Sequence, residues 1–118
     1  MLYSLSDFAK SIRYVEKALA IAVETGDRNG EAACYGNLGA VFISLGDYVK
    51  ANKYLEKAIA IAIEIGDRKE EGTCYGNLGT MFISLGDYVK ANKYLEKAIA
   101  IAIEIGDRER EGTCYGNL

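Results

Sequence analysis

Apolar residues in the middle of the chain fall at Ala51, Tyr54, Leu55, Ala58, Ile59 and Ala62. The steps of 3, 1, 3, 1 and 3 trace one stripe of a helix. Lys50, Asn52, Lys53, Glu56 and Lys57 fill the other side. This stripe runs into EKAIAIAIEIGD at 56–67, where alanine and isoleucine alternate as they do in a β-strand. The polar residues upstream do not alternate, and alanine, lysine, glutamate and leucine are good helix formers. The stretch 47–65 therefore reads as one helix. Ile61 and Ile65 continue a second row with Tyr54 and Ala58, so the helix is apolar over much of its circumference near its end. A segment of that kind must be covered on more than one side.

The cover comes from repetition. EKAIAIAIEIGD recurs at 96–107, and residues 46–78 match 86–118 at all but two of 33 positions, Lys69/Glu109 and Glu70/Arg110. Residues 6–38 follow the same register more loosely. The period is 40 with no linker, which predicts an array whose units stack on their neighbours. Each unit has a second helical stretch, RKEEGTCYGNLGTMFISL at 68–85, with Tyr75, Leu78, Phe82 and Leu85 spaced 3, 4 and 3. Gly76 and Gly79 sit inside it, where each costs about 1 kcal/mol against alanine. A glycine tolerated there marks close approach of another backbone, and Gly79 lies beside the apolar stripe. The pairs IGD and LGD put a glycine after each helix and an aspartate before the next, suited to a left-handed helix end and to an N-cap. Asp67 with Glu70 resembles a capping box. The predicted helices are 1–6, 7–25, 28–45, 47–65, 68–85, 87–105 and 108–118, in repeats registered at 6–45, 46–85 and 86–118. Ala58 and Ala98 are predicted crossing points between helices.

Composition narrows the function. The net charge of −3 argues against a nucleic-acid partner, which calls for a basic stripe. The longest strictly apolar run, AIAIAI, is far short of the roughly 20 residues a membrane span needs. Cys34, Cys74 and Cys114 cannot pair off within one chain and are read as buried free thiols in a reducing, cytoplasmic setting. With no histidine, no basic activator near a cysteine and no phosphate-loop pattern, neither an enzyme nor a cofactor or metal site is expected. Lys50, Lys53 and Lys57, repeated at Lys90, Lys93 and Lys97, read as a solvated outer face.

The stretch YGNLGAVFISLGDYVKANKYLEKAIAI at 35–61 resembles a tetratricopeptide repeat. Tyr35, Leu38, Gly39, Phe42, Gly46, Tyr48, Ala51, Leu55 and Ala58 fill that family's pattern, as do their equivalents from Tyr75 to Ala98. The 40-residue period and the GDR junctions are similar to the Pins/LGN type of spindle-orientation scaffold and to large animal proteins with many such repeats. Ala33, Thr73 and Thr113 stand where Pins/LGN repeats often carry arginine, so that type's preference for acidic peptides is not carried over. The resemblance implies an all-α, right-handed superhelix of antiparallel helix pairs. It also implies that the chain begins and ends in mid-helix, as a piece of a longer array.

In such arrays the first helix of each pair lines a concave groove. On this chain that implies Thr73, Gly76, Asn77, Thr80, Ile83 and Ser84, with Ala33, Gly36, Asn37, Ala40, Ile43, Ser44, Thr113, Gly116 and Asn117 from the adjoining copies. The asparagines are the candidates for gripping a peptide backbone, because an amide both donates and accepts; the competing role is a bond within the array. Two functions stand. One is a scaffold binding a segment of a protein or peptide partner. The other is a structural array of self-stacking units without a peptide ligand. For the second, Leu118 of one molecule and Met1 of the next would together rebuild one helix head to tail, nearly complete.

Overall fold

In the computed structural model, which describes residues 5–116 and the side chains of 6–106 and Arg108, the chain forms five helices. They are α1 (Leu5–Thr25), α2 (Arg28–Leu45), α3 (Tyr48–Ile65), α4 (Arg68–Ser84) and α5 (Tyr88–Gly116). The alternating stretch at 56–65 is helical, and no strand occurs among the described residues. Each helix packs on its neighbours in the chain, and α2 also packs on α4. The result is an all-α helical-repeat solenoid.

The junctions work by one chemistry repeated. Gly26, Gly46, Gly66 and Gly86 have φ between 72° and 79°, the left-handed region that closes a helix. The following aspartate caps the next helix: Asp27 accepts from the Gly30 N–H at 2.9 Å, Asp47 from Lys50 at 3.2 Å, Asp67 from Glu70 at 3.0 Å and Asp87 from Lys90 at 3.2 Å. The capping box expected at Asp67 is only half made. The Asp67 N–H donates to the Ala62 carbonyl at 2.8 Å, and the Glu70 carboxylate instead accepts from the Cys74 thiol at 3.6 Å.

Two expected breaks are absent. Helix α1 runs unbroken through Ser6–Asp7, where a boundary was expected. Serine stands there in place of the glycine that turns the chain at 46 and 86, and a left-handed serine costs about 1–2 kcal/mol. Helix α5 runs straight through Gly106–Asp107, where 105 and 108 were expected to bound a turn. Here the local sequence is the one that turns at Gly66, so packing makes the difference. Helix α4, which follows Gly66, is held against α2, α3 and α5; the residues after Gly106 have no such set of partners among the described helices.

The core lies between α3 and α4: Ala51, Leu55 and Ala58 against Cys74, Leu78 and Met81, all at most 2% exposed. Ala58 is thus a crossing point at full burial, whereas Ala98 is only half-buried. Gly39 and Gly79 mark the closest approaches. A Cβ on Gly79 would lie 2.6 Å from Leu95 and 3.4 Å from the Ala91 carbonyl, and Gly39 meets Leu55 and Ala51 at the same distances. Gly76 has nothing within 4 Å, so close approach explains Gly79 and not Gly76.

Candidate functional site

Helices α2 and α4, which carry the residues expected to line a groove, lie side by side. Thr73, Asn77, Thr80 and Ser84 occur at helical spacing along α4, and Asn37 and Ser44 take the equivalent places on α2. Asn37, Thr73, Thr80, Ser44 and Ser84 are exposed, and Asn77 is half-buried. The hydroxyls are partly committed: Thr73 donates to the Lys69 carbonyl at 3.0 Å, Thr80 to Gly76 at 3.1 Å and Ser44 to Ala40 at 3.3 Å. Their oxygens remain open as acceptors. Neither the Asn37 nor the Asn77 amide bonds to another described side chain or backbone group. The competing role for Asn37, a bond within the array, is therefore not made among the described residues.

Other expected lining residues fall elsewhere. Ile43 packs half-buried against the core, while Ile83, its equivalent, is 45% exposed. Gly36 is buried at the seam with α4, where a Cβ would meet the Glu70 carboxylate at 2.5 Å and Cys74 at 3.7 Å. Gly76 faces open space. The side chains of Thr113 and Asn117, the Gly116 counterpart position and the Met1–Leu118 pairing concern residues outside those described in full. Two clefts touch the predicted surface at its edges. One, between α1 and α2, is lined by Phe8, Ser11, Ala40, Val41 and Ser44. The other, between α4 and α5, includes Gly72, Thr73, Ala98, Ile101 and Ala102. Neither contains Asn37 or Asn77.

Of the lysine rows, Lys53 and Lys93 are exposed, while Lys50, Lys57, Lys90 and Lys97 also lie over aromatic rings. Tyr54 stacks on Tyr35 and Phe42, with centroids 6.0 and 5.6 Å apart, and Tyr94 repeats this with Tyr75 and Phe82 at 6.0 and 5.7 Å. Lys50 lies 5.4 Å from the Phe42 ring centre and Lys57 5.3 Å from that of Tyr35; Lys90 and Lys97 do the same over Phe82 and Tyr75. These ammonium groups are held over ring faces. The spacing of Lys50 and Lys57, one heptad apart on either side of Tyr54, is the sequence signal for it.

The arginines of the first two GDR junctions each clip a helix pair. Arg28 bonds Glu64 through Nε at 3.1 Å and Glu31 at 2.8 Å; Arg68 bonds Glu104 at 2.9 Å and Glu71 at 2.7 Å. The bonds to Glu64 and Glu104 hold both guanidinium groups above their ordinary range, and Arg68 draws the Glu104 carboxyl down. Glu71 is 6% exposed, with Arg68 as its partner. Reactive thiols are not provided by Cys34 or Cys74. Both are buried and free, burial pushes both up, and Cys74 reaches about 12, with Glu70 adding to the effect.

Such a surface presents open hydrogen-bond donors and acceptors on exposed and half-buried side chains. No described helix is long and apolar enough to cross a membrane. No curated protein matches the sequence. A family model described as tetratricopeptide repeat matches residues 1–64 and again 45–104. With paired helices, glycines at the crossings and nearly the whole chain matched, this protein belongs to the tetratricopeptide repeat family, whose members are in general protein-interaction modules.

Proposed function

We propose that the chain is a cytoplasmic interaction scaffold, a single array in repeats at 6–45, 46–85 and 86–118. It holds an extended peptide segment of a partner protein along the exposed faces of α2 and α4. The observation that carries this is the pair of open amides, Asn37 and Asn77, at equivalent places on adjacent helices. Helices in contact lie about 8–10 Å apart, a span of about three residues of extended chain. Two amides at that spacing suit the carbonyl and N–H groups of one peptide backbone. Thr73, Thr80, Ser44 and Ser84 add acceptors, and Ile83 adds an apolar contact; Ile43 supports the face from beneath. Asn117, outside the described residues, is the third asparagine at the 40-residue period in the sequence. The period and the GDR junctions favour the long-repeat arrays of the Pins/LGN type as relatives, without their acidic-peptide preference.

Screening a peptide array for ligands and repeating the titrations with Asn77→Ala tests the reading. A ligand of this face should lose about 1–3 kcal/mol, the cost of a buried backbone group left unpaired. Ligands that all bind Asn77→Ala unchanged would place binding on another surface. A second reading, self-association of the array, is favoured by the uncovered cleft between α4 and α5.

A further inference from the structure

The α4–α5 cleft has a covered twin. Forty residues earlier, the surface of α2 and α3 formed by Ala32, Ala58 and Ala62 is packed under α4, and each of these alanines is 0% exposed. Their equivalents Gly72 and Ala98 are half-buried, and Ala102 is exposed. The covering helix begins RKEEGTCYG at 68–76. The chain holds a second such stretch, REREGTCYG at 108–116, which differs only at 109 and 110. Thus the cleft's natural occupant is written in the sequence. It does not occupy the cleft of its own chain, because α5 continues straight through Gly106–Asp107 to Gly116. At 1.5 Å per residue, the ten residues after Gly106 carry the helix about 15 Å past the turn position.

We propose that two copies exchange this segment: residues 108–116 of each lie in the α4–α5 cleft of the other, about a twofold axis at Gly106–Asp107. The proposal deepens the self-association reading by naming the occupant and the symmetry. The pairing rule comes from the hairpins that do turn. Positions roughly equidistant from the junction face each other, as Gly30 and Ala22 do across Gly26–Asp27, where a Cβ on Gly30 would lie 3.4 Å from that of Ala22. Their equivalents are Arg110 and Ala102. With the junction straightened, the same antiparallel pairing forms between two α5 helices and repeats itself by symmetry. Both clefts are then filled, and the contact is isologous and closes at a dimer. Exchange of an identical element keeps the contacts of a turned hairpin and adds no new interface chemistry.

A cysteine at position 76 reads the geometry. Gly36 approaches the Cys74 sulfur so that a Cβ there would be 3.7 Å away; the equivalent pair in the dimer is Gly76 of one copy and Cys114 of the other. Gly76→Cys, oxidised in the full chain, should give a disulfide-linked dimer that disappears with Cys114→Ser added. Sedimentation should show a monomer–dimer equilibrium, abolished by Ala102→Glu, whose site is exposed in the single chain. Gly106→Ala, which disfavours the left-handed turn and so keeps the segment out of its own chain's cleft, should preserve the cross-linked dimer. An intramolecular disulfide would overturn the exchange, since the segment would then fold onto its own cleft. A concentration-dependent ladder of oligomers without the cross-link would also overturn it, leaving open head-to-tail stacking as the form of self-association. A monomer at every concentration, with no cross-link, would remove both.

Discussion

Two glycines three residues apart on α4 sit in opposite circumstances. Gly79 touches Leu95 and the Ala91 carbonyl so closely that an added methyl must displace a side chain or push the helices apart. Gly76 faces open space and carries only the entropic cost of glycine in a helix. In dilute solution, Gly79→Ala should lower stability by about 1–3 kcal/mol, and Gly76→Ala should raise it by about 1 kcal/mol. Urea melts should move in opposite directions; shifts of the same sign would mean that α4 is rotated from the orientation described. Sequence spacing singled out Gly79 because it falls beside the Tyr75–Leu78–Phe82 stripe. It could not separate Gly36 from Gly76, which have the same neighbours in sequence. What separates them is that α4 covers α2, placing Glu70 over Gly36, while nothing described covers Gly76.

Between elements, the α2–α4 seam holds Glu70, the one acidic residue at a position that is glycine in the first copy and arginine in the third. Burial raises the Glu70 carboxyl above its ordinary 4.5, the Cys74 thiol donating to it opposes this, and Asp67 adds to the rise. A folded value above the unfolded one means that the protonated form favours the fold. That contribution is complete below pH 4.5 and is lost as pH rises through the folded value toward neutrality. Glu70→Gln, which cannot ionise, should therefore melt at a higher temperature than the parent at neutral pH, with the gap closing toward pH 4.5. An equal gap at both pH values would show that the seam does not desolvate the carboxylate. Such a seam is invisible in one copy of the repeat, as is the fate of a junction. Helices α2, α3 and α4 lie within about a residue of their predicted bounds, because glycine and aspartate act locally at each end. The same glycine and aspartate at 106–107 yield a straight helix, because the turn also needs a following helix with partners to pack on. The places of Asn37 and Asn77 on α2 and α4 follow from the repeat register, while their open amides, and the rings beneath Lys50 and Lys57, required the packed helices, with α2 and α3 bringing Phe42, Tyr54 and Tyr35 into one stack.

At the scale of the molecule, contacts among the described helices run between neighbours in the array, and the radius of gyration of 15.9 Å exceeds the roughly 13 Å of a compact 100-residue domain. A chain built this way has stability that is a sum of local terms, with ends that open before the middle. The middle is α2 to α4, where Leu38, Leu55 and Leu78 are at most 1% exposed. In α1, Ala22 is the one buried residue among those described, and the final stretch of α5 lacks a covering helix among the described ones. Native-state hydrogen exchange should therefore give the largest opening free energies at the amides of α2, α3 and α4. Protection should fall through α1 and should be lowest from 107 to 116 in dilute solution. Uniform protection in all five helices would mean that the array unfolds as one unit and that nearest-neighbour packing does not set its stability. The gradient bears on binding because Asn37 and Asn77 stand on two of the three helices expected to open last. A peptide would then meet a face whose backbone is already fixed, and little of the binding free energy would go to ordering the receptor.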